Sequence, residues 1–302
     1  MSYRTKFKAK LNVIKLLLFT IATSFVSYGQ EKTDDQNIDS LLDELFFSDK
    51  EFVDDLLNSI NQYDFLYANT TFNSNTFFAG RDSGTDQFNM IPQVSYYSSS
   101  GFNASVTSIY YQKQDSNWDF VSLTAGYSNT IDKRKNVHYN LGYSRFFYSD
   151  GWDAFNNSVD ALLGVRNSKR TLGAIVSASY LFGTDNSFQL SSRVYGNFTL
   201  TRQSSYALKI RPQVNFLVAQ QVVTFLIPPR NGNPSRIGTT EEFGLLNTQF
   251  SFPISYTSST WDIELSWNLN LPITIENEGS LDTTNFFGLS IGYLLDLRKK
   301  QF

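Results

Sequence analysis

The chain has 302 residues, with 25 Lys plus Arg against 28 Asp plus Glu, one His and no Cys. The net charge is −3; no phosphate-cradling glycine loop or nucleic-acid module appears, and the lack of Cys excludes a disulfide framework. His138 alone leaves a His-based zinc or copper site without an adequate ligand set.

Arg4, Lys6, Lys8 and Lys10 precede the apolar run Leu16–Ala22, and small Ser27 and Gly29 stand before Gln30. Charge, short apolar run and small residues make 1–29 a secretory signal peptide, too short for a spanning helix.

Residues 31–60 carry ten acids and only Lys32 and Lys50. Ile38, Leu41, Leu42 and Leu45 recur at helical spacing, as do Phe52, Val53, Leu56, Leu57 and Ile60. Ser48 and Glu51 between them fit a capping box. The segment 30–62 is therefore expected to hold two short acidic amphipathic helices. Their apolar stripe needs a cover, either the chain's own barrel, as a plug, or a separate periplasmic protein docking through 31–60.

From Asp64 onward, 17 Tyr and 27 Phe over the whole chain are used in alternation rather than in blocks. Strand-like segments fall at 64–78, 87–98, 102–112, 118–130, 136–148, 155–167, 171–182, 187–201, 205–227, 240–257, 260–275 and 284–297. Trp261, Ile263, Leu265, Trp267, Leu269 and Leu271 oppose Asp262, Glu264, Ser266, Asn268 and Asn270, an apolar face against a polar one. The fold class expected for 63–302 is all-β: a transmembrane antiparallel up-and-down barrel of about twelve strands, preceded by the short α-helical segment. An even number puts both barrel ends on one side, with short turns near 99–101, 132–135, 168–170, 202–204 and 258–259. The long connections then fall on the other side, the longest at 228–239. The short-turn side collects Lys133, Arg134, Lys135, Lys169, Arg170 and Arg202, and the other rim is acidic.

The final segment carries Ser290-x-Gly292-x-x-Leu295-x-Leu297. This resembles the β-signal by which Gram-negative outer-membrane β-barrel proteins are recognised for insertion. The resemblance implies a multi-pass location in the bacterial outer membrane, contact with outer-membrane lipid, and a barrel-assembly machinery as partner.

Inside such a barrel, Asp160, Arg166, Arg193, Lys209, Arg211, Asp262 and Glu264 are the lumen-facing candidates, with opposite charges available for internal ion pairs. His138 and Ser144 lie six residues apart on one strand, ~20 Å, too far for a nucleophile and its base. No catalytic residue, metal, cofactor or nucleic acid is expected. Two functions fit: a non-enzymatic channel or transporter for small polar solutes, or a scaffold docking a periplasmic or surface complex through 31–60.

Overall fold

The computed structural model describes residues 64–82, 86–113, 118–149, 154–227, 236–258, 260–274 and 280–297. The expected leader and acidic helices lie outside the described residues.

Twelve strands form one closed antiparallel up-and-down barrel. They are β1 (Phe65–Asn73), β2 (Asn89–Tyr97), β3 (Phe102–Tyr111), β4 (Trp118–Thr130), β5 (Val137–Tyr148), β6 (Asn157–Arg166) and β7 (Leu172–Phe182). β8 is Asn186–Gly196 continued by Phe198–Arg202, and β9 is Tyr206–Ile210 continued by Gln213–Ile227. β10 is Arg236–Ser251 continued by Ile254–Ser258, followed by β11 (Trp261–Pro272) and β12 (Thr284–Asp296). Each pairs with its neighbours in sequence, and β12 closes on β1 from Phe65↔Asp296 to Asn73↔Gly288. Closure removes the unpaired edges that an open sheet would expose. Asp64 fastens the seam at the lower end: its carboxylate accepts from the Ser99 amide at 2.7 Å and its carbonyl from the Leu297 amide at 3.0 Å.

The period of two decides which residues face out. Leu265 is 53% exposed, and Val121, Leu163, Val194 and Ile291 are likewise exposed on the outer face. In water a band of this breadth would drive association; hydrocarbon is its natural solvent. Exposed aromatics concentrate towards its two margins, Trp118, Phe147 and Phe287 above, Phe102, Trp261 and Tyr293 below. Trp261 and Tyr293 meet edge-on at 4.9 Å between centroids.

Three inward rings lie over glycines of a neighbouring strand: Tyr67 over Gly292, His138 over Gly164 and Tyr195 over Gly173. A Cβ at Gly292 would come within 2.0 Å of the Tyr67 hydroxyl, so a larger residue there requires Tyr67 to move. β8, β9 and β10 are interrupted side by side, at Asn197, at Arg211-Pro212 and at Phe252-Pro253. Proline lacks the N–H that a central strand needs; here Gly196 N–H reaches the Pro212 carbonyl and Arg211 N–H the Pro253 carbonyl. The interruption carries the buried Arg211 side chain inward.

The interior is unequal around its circumference. At the upper end of β2–β7, Ile91, Ile109, Tyr111, Phe120, Phe146 and Leu181 form a buried apolar cluster, with Tyr148 and Phe155 against it. Below it the inward positions are small and hydroxylated, including Ser122, Ser144, Ser158, Ser177 and Ser179.

The first expected segment, 64–78, is too long. β1 stops at Asn73, and Phe77–Phe78 instead pairs with Arg81–Asp82 in a small separate hairpin. Asn75 and Thr76 turn the chain: the Asn75 side-chain oxygen accepts from the amides of Thr76 and Gln87. The longest connection between strands is consequently 74–88, not the proline-rich one, which β9 and β10 shorten to 228–235 by pairing as far as Ile227↔Arg236.

Candidate functional site

The hairpin residues Phe77–Asp82 lie within the barrel, against β10 and β11. Arg81 is buried and donates to the carbonyls of Ala79 and Leu246, each at 3.4 Å, and of Ile273 at 2.8 Å. Ala79 packs with Leu217, Ala219 and Leu246. Gly80 has φ +80°, a conformation that favours glycine, and a Cβ added there would stand 2.5 Å from the Asn247 side-chain oxygen. The tip is thus anchored by backbone carbonyls, apolar contact and a close approach that only glycine permits.

Below and beside the hairpin, one inward residue on each of five consecutive strands joins a hydrogen-bonded row. Arg193 Nε donates to Asn215 Oδ1 at 3.0 Å, and Asn215 Nδ2 to Gln249 Oε1 at 3.0 Å. Gln249 Nε2 donates to Asn270 Oδ1 at 3.0 Å, and Asn270 Nδ2 to the Thr284 hydroxyl at 3.2 Å. Thr284 Oγ1 then donates to the Gly80 carbonyl at 2.8 Å, tying the row to the hairpin. Every step except the last joins directly opposed residues, Arg193↔Asn215, Asn215↔Gln249, Gln249↔Asn270 and Asn270↔Thr284. Register makes the row: a one-residue slip of any strand would turn its member outward.

Asn215, Gln249 and Asn270 of this row help to line a cavity of about 150 Å³ between the hairpin and β1, β9, β10, β11 and β12. At about 30 Å³ per water that is room for roughly five waters, a chamber rather than a wide bore. Its upper part is lined by amides, among them Asn73, Asn247, Gln249, Asn268 and Asn270, with Phe77 and Phe286 as aromatic surfaces, while Tyr67 and Asn69 lie lower, Asn69 level with Asp262 through Gly292. Its lower part is charged, with Arg211, Asp262 and Glu264 on the wall.

The residues singled out in the sequence are divided by the fold. Arg211, Asp262 and Glu264 line the chamber. The Arg211 guanidinium lies 5.8 Å from the Tyr195 ring centroid, and Asp262 accepts from the Thr257 hydroxyl at 2.7 Å. Lys209 stands opposite Ser255, which stands opposite Glu264, so Lys209 shares the level of the charged wall. Arg193 begins the amide row. Asp160 and Arg166 lie on β6, away from this chamber and six residues, ~20 Å, from each other. Asp160 accepts from Ser158 Oγ at 2.7 Å. Arg166 Nε and a terminal nitrogen donate to the Lys135 carbonyl at 3.0 and 2.6 Å, bracing a turn in which Lys135 has φ 55°.

Of the four positions that resemble an insertion signal, Gly292 and Ser290 face inward, Ser290 on the chamber wall, while Leu295 and Leu297 are exposed on the outer face. His138 is buried beneath β6, and Ser144 shares a hydrogen bond with Thr124 at 2.9 Å. The lower turns repeat one device. Asp132 caps the amides of Asn136 and Val137, Asn167 caps those of Thr171 and Leu172, and Lys135 and Arg170 take the left-handed position (φ 55° and 57°) where glycine is usual. Basic charge is therefore held at the lower rim despite its conformational cost.

Sequence reading missed Gly80, Arg81, Asn247 and Gln249. A signal was present for the wall alone: amides recur on the inward parity of β9, β10 and β11.

No protein-family model and no curated protein matches the chain. Among solved structures it is similar to the KdgM porin, at 11% identity over 78% of this chain and 99% of that one, with a TM-score of 0.43. It is also similar to the NanC porin, at 13% identity over 76% and 98% with a TM-score of 0.41. A third similarity is to LpxR from Salmonella typhimurium, at 10% identity over 76% and 99% with a TM-score of 0.42. The superpositions are loose, and the architecture rests on the strand pairing itself.

Proposed function

We propose that this protein is a non-enzymatic outer-membrane channel for small polar solutes, closed in the state described by the hairpin Phe77–Asp82. The observation that carries this reading is the contrast between the outer face and the chamber. A lipid-compatible surface surrounds an interior wall of amides and opposed charges next to an anchored hairpin. Buried polar side chains are costly unless partnered, and a barrel needed only as an anchor gains nothing from a polar chamber. Twelve strands also suit the role, lying between eight-stranded barrels filled by side chains and sixteen-stranded open porins. Ser290, Gly292, Leu295 and Leu297 serve as the insertion signal for the assembly machinery.

In this reading residues 31–60 form a second closure at the lower mouth, opposite the basic turns. Exposed ion pairs there are worth only ~0–1 kcal/mol each, so apolar burial of Leu41, Leu45, Leu56 and Ile60 carries the attachment. The scaffold reading is favoured by one observation, the basic patch of Lys133, Arg134, Lys169, Arg170 and Arg202 exposed at the lower rim, which suits an acidic handle shared with a periplasmic partner.

Planar-bilayer conductance separates the two. The full chain, a chain lacking 31–60, and one lacking 31–60 with 75–87 also replaced by a short glycine turn are compared. The channel reading expects steady current in the third and at most rare openings in the first. Silence from all three, each folded by heat-modifiable migration, contradicts it and leaves the scaffold.

A further inference from the structure

Resting on the outer-membrane reading, we propose that the outward side of two neighbouring lower turns, 131–136 and 167–171, binds the headgroup of an anionic phospholipid. β5 and β6 are paired neighbours, so the turns stand about two strand spacings apart, ~10 Å. The first carries Lys133 and Arg134 and the second Lys169 and Arg170, all four exposed. Their side chains have no hydrogen-bond or ion-pair partner among the described residues. Asp132, the acid of the first turn, directs its carboxylate to the amides of Asn136 and Val137 at 2.7 and 2.8 Å. Arg170 has φ 57°, where glycine is usual, so charge is placed in the second turn against a conformational cost.

The apolar band supplies the rest of the site. Ile131 is 65% exposed, Leu172 57% and Val165 44%, and all three lie on the outer face at the lower edge of the band, beside these turns. Val165 stands between Val137 of β5 and Ala174 of β7. A low aliphatic strip therefore rises directly from the four cations.

A lipid matches both parts because it joins an acyl chain to a phosphate. Exposed aliphatic surface is best covered by hydrocarbon, and basic residues at the border of a membrane attract its anionic headgroups. A free phosphate ion would meet the charges and leave the strip bare. The strip is continuous with the lipid-facing band, which favours a lipid over an acidic protein segment. In the channel reading residues 31–60 close the mouth itself, and the outward side of the turns is left to the membrane.

The test is native mass spectrometry of the full chain, folded in detergent with equal amounts of dioleoyl phosphatidylglycerol and dioleoyl phosphatidylcholine. The acyl chains are identical, so the comparison reads the headgroup. Phosphatidylglycerol should be retained about ten-fold better. Lys133→Gln and Lys169→Gln should each reduce its retention about five-fold and leave that of phosphatidylcholine unchanged. Arg170→Gly should do the same while folding at least as stably as the parent, because it relieves the left-handed position. Excess inorganic phosphate should not displace the lipid. Equal retention of the two lipids, variants that bind as the parent does, or displacement by inorganic phosphate would each overturn the proposal. Retention of phosphatidylglycerol only after removal of 31–60 would make the acidic segment the occupant and overturn it as well. A chain that fails to insert into phospholipid vesicles, judged by heat-modifiable migration, removes the outer-membrane reading; insertion without a headgroup preference removes this site alone.

Discussion

The two sides of the barrel interior solve the same problem with different chemistry. β2–β7 fill their upper end with Phe120, Phe146, Ile109, Tyr111, Ile91 and Leu181 and line much of the rest with serine and threonine, interrupted by Gln93 and His138. β8–β12 and β1 hold amides, charges and a cavity, with the hairpin against them. The first side gains stability from apolar burial and shape. The second depends on every polar group meeting a partner, because a net hydrogen bond contributes only ~0.5–1.5 kcal/mol while an orphaned one costs ~1–3. In the channel reading the passage is therefore off centre, with apolar packing on one side and hydrogen-bonding groups on the other.

Breaking the apolar side should have the largest effect. Phe120 is 1% exposed and its ring meets those of Phe146 and Tyr148 at 5.4 and 5.2 Å, so Phe120→Ala should cost ~3–5 kcal/mol. Urea unfolding in detergent measures it, and conductance should be unchanged. Next, Leu265→Arg on the lipid face should cost ~2–4 kcal/mol if Leu265 lies near the bilayer midplane, whereas Ser266→Arg, one position on and turned into the chamber, should cost less than half of that. Equal losses would mean that inside and outside have been exchanged.

The seam comes third. Gly292→Ala places a methyl group against Tyr67 and should cost ~1–3 kcal/mol by overpacking; adding Tyr67→Ala should recover part of it, read from yield and melting of the folded form. The smallest effect is at the lower rim. Backbone amides, Val137 foremost, hold the Asp132 carboxyl below its ordinary 3.8. A group whose folded pKa is lowered stabilises above its unfolded value and loses that contribution as pH falls through the folded one. The gap in stability between the parent and Asp132→Asn should therefore be full at neutral pH and shrink below about pH 4. A gap that widens with acid would reverse the assignment.

Much of this barrel was readable without coordinates because lipid and lumen impose a strict alternation. Ser187–Ser191 and Trp261–Leu271 alternate so plainly that their faces follow from parity alone. What escaped was set by distance in sequence. Phe77 and Phe78 extend the apolar character of β1, and nothing local says that the chain turns at Asn75. The hairpin is fixed by Arg81 reaching Leu246 and Ile273, 165 and 192 residues away. The amide row likewise needs register, which propensity does not supply. The apolar cluster had a local sign, the loss of alternation in Ile109-Tyr110-Tyr111, Phe146-Phe147-Tyr148 and Tyr180-Leu181-Phe182, where both parities turn apolar because both faces are dry.

The central claim is that the hairpin closes the chamber, and a reversible lock tests it most directly. The chain has no cysteine of its own, and Ala79 and Leu246 pack together, so in a chain lacking 31–60 the double variant Ala79→Cys, Leu246→Cys can be oxidised to pin the tip and reduced to free it. Single-channel recording of one bilayer through both states should show silence when oxidised and discrete openings after reduction. Openings of the same size and frequency in both states would contradict the account.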